Sequence, residues 1–194
     1  MRLFVAVDID EHARRVAAAT AEELRITIGP TLRARWVAPE NMHLTVRFIG
    51  HIDDDRAPAV IEALTPPLDI LPFDIELAGC GVFPPSGPPR VLWIGLSQGL
   101  PALALMHDAF NRRLRPFGLE PEARPFSAHL TLARVKDAPR GAGRAVRDAS
   151  SRIAPRITRC RVTRATIVQT HLSPKGARYE PVAFAALAAE NREL

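Results

Sequence analysis

The sequence predicts an α+β fold of two pseudo-symmetric lobes, each an antiparallel sheet with flanking helices, around a central cleft. Three observations predict it. An apolar, β-prone run, a helix-like stretch, a loop and a strand bearing His-Leu-Thr follow one another twice along the 194 residues. Both motif strands, HLTVRF from His43 and HLTLAR from His129, begin by alternating polar and apolar side chains. An apolar content of 47% suits a globular core, and no apolar run approaches the length that crosses a bilayer.

The elements follow in order. RLFVAVDI (2–9) is the first strand, and EHARRVAAATAEELRITI (11–28) sets apolar residues at helical spacing among strong helix formers until Gly29 and Pro30 end it. The segment LRARWVA leads to the first motif strand, NMHLTVRFIG (41–50). Asp53, Asp54 and Asp55 open a short helix, because carboxylates suit its positive end. LPFDIELAGCGVF is the next strand and FPPSGPPR (83–90) a turn. The second copy begins with RVLWIGLS (90–97), continues as a helix over 100–118 ended at Gly118, and reaches its motif strand in SAHLTLARV. A Gly- and Arg-rich loop over 136–148 comes next. Strands over 159–172 and 178–187 follow, with the turn SPKG (173–176) between them. Nothing has the composition of a linker, so residues 1–194 are expected to form a single bilobal domain.

Charge and cysteine use narrow the function. Residues 101–180 hold sixteen Lys and Arg against six Asp and Glu, whereas the rest of the chain is net acidic. Nearly all the positive charge is Arg, whose planar fork matches phosphate oxygens, so the skew suits either a compositional bias or a face for an anionic partner such as a nucleic acid. Cys80 and Cys160 lie far apart, in neither a disulfide framework nor a metal-ligand spacing, which points to a reducing cytoplasm. The opening MRLFVAVDIDEHARR turns acidic and then basic at once, unlike a signal peptide.

In a strand, His43, Thr45 and Arg47 share one side, and so do His129 and Thr131, while Leu44, Val46, Phe48, Leu130 and Leu132 take the other. If the two copies are related by a rough two-fold, their polar sides meet. Two imidazoles that titrate near ~6.5 can then hold one neutral and one protonated ring, taking a proton from an attacking hydroxyl and giving one to a departing oxygen. A Thr hydroxyl two residues on can hold a non-bridging phosphate oxygen. Such a set fits a phosphodiester, above all a strained cyclic one. A single His-x-Thr is a common accident; two in equivalent places are not. A metal site is the competing reading, but neither strand adds a Cys, Asp or Glu on the motif side, and His12, His51, His107 and His171 show no ligand spacing, so no metal or cofactor is expected.

These residues resemble the 2H phosphoesterases, named for two H-x-[ST] motifs, and more closely the bacterial RNA 2′,3′-cyclic phosphodiesterases, once called 2′-5′ RNA ligases. The resemblance runs through RLFVAVDI, RWVAPENMHLTVRFIG, GCGVFPPSGPPRVLWIGL, RPFSAHLTLARV and GARYEPVAF. It implies a bilobal α+β fold and metal-independent hydrolysis of a 2′,3′-cyclic phosphate to a 2′-phosphate. His43 would protonate the departing 3′ oxygen, His129 would activate water, and Thr45 and Thr131 would hold phosphate oxygens. The two motifs read alike, so the residues themselves leave open which ring plays which part. Arg134 matches an Arg of the family's second motif, yet alternation sets it opposite His129, so a bulge or strand end must turn it inward. Arg47 is a further candidate phosphate contact, and Phe48 either belongs to the core or stacks on a base. Tyr179 and Arg90 occupy family-like positions and read as structural. The family often carries Pro before its second His, where this chain has Ala128.

The expected partner is therefore RNA ending in a 2′,3′-cyclic phosphate, tRNA fragments being one candidate, with 2′-5′ joining as a minor reverse activity, no membrane partner and a monomeric chain. The alternatives are a phosphodiesterase for a small cyclic nucleotide and a non-catalytic RNA- or nucleotide-binding module.

Overall fold

The computed structural model describes residues 1–153, 155–156, 158–173 and 176–189. Among these residues nine strands and four α-helices follow one another. They are β1 (Arg2–Asp8), α1 (Glu11–Ile28), β2 (Arg33–Trp36), β3 (His43–His51), α2 (Ala57–Leu64), β4 (Phe73–Phe83), β5 (Val91–Gln98), α3 (Leu100–Leu114), β6 (Leu130–Asp137), α4 (Ala142–Arg152), β7 (Thr158–Val162), β8 (Arg164–Ser173) and β9 (Gly176–Ala186). All strand pairs are antiparallel, in the order β7-β4-β5-β6-β3-β1-β8-β9, with β2 beside β6.

The pattern of side chains explains this layering. In β1, Leu3, Val5 and Val7 enter one large core together with Leu24 of α1, Val60 of α2, Phe110 of α3 and Val146 of α4. Phe4 and Ala6 point the other way, into a small cluster with Val168, Phe48 and Tyr179 to which no helix contributes. The helices thus line one face of the sheet and leave the other open. α1 begins where the Asp10 carboxylate accepts a hydrogen bond from the Ala13 amide at 2.7 Å, capping an otherwise unpaired donor. The helix over 100–118 ends as expected, tightening at Arg115–Phe117 before Gly118 at φ 70°.

The two halves of the sheet are β1, β3, β8 and β9 on one side and β2, β4, β5, β6 and β7 on the other. Their helices are exchanged: α1 follows β1 yet packs against β6 and β7, beside α4 on β4, and α3 follows β5 yet packs against β3, beside α2 on β9. The lobes are therefore not consecutive stretches of chain. Two sequence expectations are corrected. The run over 159–172 is two strands, because Thr163 separates β7, paired with β4, from β8, paired with β1. The stretch 136–148 is no loop: β6 extends to Asp137, and α4 forms because Val146, Ser150 and the packed Ala142 and Ala149 share one side while Arg144 and Asp148 face outward. Pro174 and Lys175 of the expected SPKG turn lie outside the described residues.

Candidate active site

The two halves meet at one place. Leu44 of β3 pairs with Leu130 of β6, both fully buried on the helix side. Antiparallel strands match crosswise about such a pair, so His43 falls opposite Thr131 and Thr45 opposite His129 on the open face. The four motif side chains form a square with the histidines on one diagonal. Diagonal neighbours in a sheet are ordinarily about 7–8 Å apart, leaving room for a phosphate between the rings.

Each ring is held the same way. His43 Nδ1 lies 2.8 Å from the Asn41 carbonyl and His129 Nδ1 lies 2.7 Å from the Ser127 carbonyl. A carbonyl can only accept, so each Nδ1 carries the hydrogen and each Nε2 is left for chemistry. In the neutral ring of His43, the Thr45 hydroxyl donates to Nε2 at 3.2 Å.

The same irregularity follows each motif. In β3 the register with β1 slips between Arg47 and Thr45, and in β6 the register with β5 slips between Ala133 and Thr131. The extra residues are Val46 and Leu132, each a β-bulge that reverses the alternation beyond it. Leu132 and Ala133 are both buried, so Arg134 turns to the motif face, as expected of a bulge. Val46 and Arg47 are both buried too, which corrects the placement of Arg47 beside His43. Its guanidinium sits on the helix side, donating to Asn111 Oδ1 at 2.6 Å, the Leu119 carbonyl at 3.2 Å, the Glu120 carbonyl at 2.5 Å and the Phe48 carbonyl. Phe48 takes the open face instead, packed beside Phe4 and Tyr179 under the Arg2 guanidinium. Phe48 and Arg134 thus occupy equivalent positions in the two copies.

Aromatic neighbours that the motifs alone do not point to complete the surroundings. Phe4 stacks on His43 with centroids 4.8 Å apart, and Tyr179 meets the same ring edge-on at 5.2 Å. Phe83 meets His129 edge-on at 5.0 Å and is backed by Trp93 at 5.1 Å. Asp8, in register with His43, accepts a hydrogen bond from the buried Thr166 hydroxyl at 2.6 Å. The signal for Phe4 and Asp8 was present: in RLFVAVD they alternate with Leu3, Val5 and Val7. Burial comes first in lowering the His43 pKa; the Asn41 carbonyl and the Asp8 carboxylate raise it, and the charges of Arg134 and His129 lower it. Burial likewise leads in lowering the His129 pKa, with the Ser127 carbonyl opposing and Arg134 adding to the drop. Only His43 gains from a carboxylate.

A family of known proteins shares this plan. The description of the LigT-like phosphoesterases matches the chain twice, over residues 7–93 and 94–179, one match for each copy of the motif. The chain is a LigT-like phosphoesterase. An RNA 2′,3′-cyclic phosphodiesterase of Archaeoglobus fulgidus is 35% identical to it over 136 residues, spanning 70% of this chain and 73% of that one. Another, of Methanothermobacter thermautotrophicus, is 27% identical over 180 residues, 92% of this chain and 95% of the relative. A crystal structure from Thermus thermophilus superposes on the phosphoesterase with a TM-score of 0.73 at 26% identity, covering 96% of this chain and 97% of the other.

Among the described residues of the phosphoesterase, no three His, Cys, Asp or Glu side chains are grouped so as to hold a metal ion. Both cysteines are free, and burial pushes the Cys80 thiol up to about 12, far from a reactive thiolate. Trp93 lies so close over Gly81 that a Cβ there would come within 2.2 Å of its ring. Gly81→Ala is expected to push Trp93 against Phe83 and cost about 1–3 kcal/mol by overpacking; an unchanged urea midpoint would contradict that.

Proposed function

We propose that this phosphoesterase opens the 2′,3′-cyclic phosphate at the end of an RNA, giving a 2′-phosphate and a 3′-hydroxyl, by acid–base catalysis between His43 and His129. The observation that carries the proposal is the Leu44–Leu130 register, which sets the two rings diagonally across one small space with both Nδ1 atoms committed to carbonyls. The relatives' activity supports the choice of substrate.

His129 Nε2 takes a proton from water, the oxygen attacks phosphorus, the bond from phosphorus to O3′ breaks, and His43 returns a proton to O3′. Thr45 and Thr131 hold the non-bridging oxygens, and Arg134 balances their charge. Each ring contributes roughly 10²–10⁴-fold. The roles follow from surroundings the motifs themselves lack. Burial and Arg134 favour the neutral form of both rings, but His43 alone has a carboxylate, Asp8, that favours its cation, fitting His43 to donate and leaving His129 to accept. The aromatic wall of Phe4, Phe48 and Tyr179 lies on the His43 side, where the nucleoside with its departing 3′ oxygen would rest. Run backwards with a 5′-hydroxyl in place of water, the same groups would join RNA ends.

An oligonucleotide with a 2′,3′-cyclic end tests this directly: the product should be the 2′-phosphate, at a rate that EDTA does not change. Loss of activity on chelation, or a 3′-phosphate product, contradicts the proposal. The pH dependence of kcat/KM should be bell-shaped with limbs belonging to the coupled pair. In Asp8→Asn the carboxylate that raises the His43 pKa is gone, so the alkaline limb should move to lower pH. An alkaline limb that stays in place would mean that the proton donor is not the ring beside Asp8.

A further inference from the structure

Arg35 has no part in the chemistry described above. It is exposed on β2, in register with Arg134 of β6. The next pair, Trp36 with Ala133, faces the core, so Arg35 and Arg134 stand side by side on the open face. This is where β3 has left β6 after Leu130 and β2 has taken over the vacated edge, with the Val37 amide donating to the Leu132 carbonyl at 2.8 Å. The Arg35 guanidinium reaches the other half of the sheet: a Cβ on Gly176 would come within 2.0 Å of its Nη2 and 3.2 Å of its Cζ. Gly176 begins β9, the strand that carries Tyr179 to the edge of His43. Arg35 therefore bridges one half of the sheet to the other beside Arg134.

We propose that Arg35 and Arg134 form a two-arginine subsite for consecutive phosphates of an RNA strand, Arg134 at the cyclic phosphate and Arg35 at the phosphodiester that precedes the terminal nucleotide. The proposal rests on the RNA substrate assigned above and adds a reason why a strand is preferred to a lone nucleotide. Cross-strand neighbours have Cβ atoms about 4.5–5.5 Å apart, and two long guanidinium arms can diverge from that base to adjacent backbone phosphates. A cyclic mononucleotide offers only the first phosphate. The second contact exchanges a bound counterion for an Arg, so its share of affinity falls as salt rises.

The test compares kcat/KM for a cyclic-ended trinucleotide and a cyclic mononucleotide, across a potassium chloride series, in the wild type, Arg35→Ala and Arg35→Lys. The wild type should prefer the trinucleotide by about tenfold or more, the worth of one charge-assisted hydrogen bond. Arg35→Ala should bring that ratio close to one and flatten the salt dependence of the trinucleotide by about 0.7 in log–log slope, with Arg35→Lys between. A wild type without length preference, or an Arg35→Ala that slows both substrates alike, overturns the subsite; the second result marks Arg35 as a tie to the start of β9 alone. A wild type that opens neither substrate overturns the RNA assignment itself, and the mononucleotide arm tells that failure from the first.

Discussion

His129→Ala should slow the opening of a cyclic phosphate by ~10²-fold or more, and His43→Ala by a comparable factor. The expected loss is large because each transfer is assigned to one imidazole of the motif square. His43 and His129 are the two rings on the motif square, and of their aromatic neighbours Phe4, Phe83 and Tyr179 only Tyr179, on the His43 side, carries an exchangeable proton. Thr45 reaches His43 Nε2 but is a poor acid. The double variant should be little slower than either single one, since the rings act as a unit. Binding of the 2′-phosphate product, read by calorimetry, should survive His129→Ala, because Thr45, Thr131 and Arg134 remain. A protein that keeps both its affinity and its turnover after either substitution would be using other groups. One that shows no turnover even as wild type would be a binding module.

Arg47→Ala should cost about 3 kcal/mol of stability, read as a lower urea midpoint. Arg47 is 4% exposed and its guanidinium donates to four oxygens, three of them backbone carbonyls. Removing it strands these acceptors, each a loss of about 1–3 kcal/mol before water recovers part of it. Burial lowers the Arg47 pKa, while Glu122 and Glu120 raise it. Arg47→Lys should fail nearly as badly, because one ammonium cannot reproduce the fork. Arg47 stands on the first motif strand and grips the segment that leads to Ser127, whose carbonyl sets the His129 ring. The variant should therefore lose kcat as well as stability. A stability loss under about 1 kcal/mol would show that the segment is held by other contacts, such as the stacking of His107 on Phe126 at 4.6 Å.

The motif chemistry was legible because it depends on the shortest periodicity in proteins. His43 with Thr45, and His129 with Thr131, share a face through simple alternation, and the repeat hinted that the faces meet. Alternation failed just beyond each motif, at Val46 and Leu132. Neither position carries the Gly or Pro that often betrays a bulge, and both are ordinary strand residues. The cost of that silence was the exchange of Arg47 and Phe48 between faces. The need for a bulge before Arg134 could be inferred, since an Arg placed among Leu130 and Leu132 would be a buried charge. Thr163 was invisible for another reason. The residues on both sides of it are β-prone, and only the pairing partners reveal that the strand changes edges. α4 hid behind glycines and arginines that suggested a loop, since its few apolar anchors matter only once β4 is there to receive them.

The exchange of helices between halves bears on how the chain can be divided. A cut at residue 93, the seam between the two family matches, would pass through β5. The first piece would keep α1 but lose β6 and β7, which that helix covers, and the second would keep α3 but lose β3. Neither piece could bury its own apolar surfaces, and each would find its missing cover only on the other. The polypeptide is built like a domain-swapped dimer whose two protomers have been joined into one.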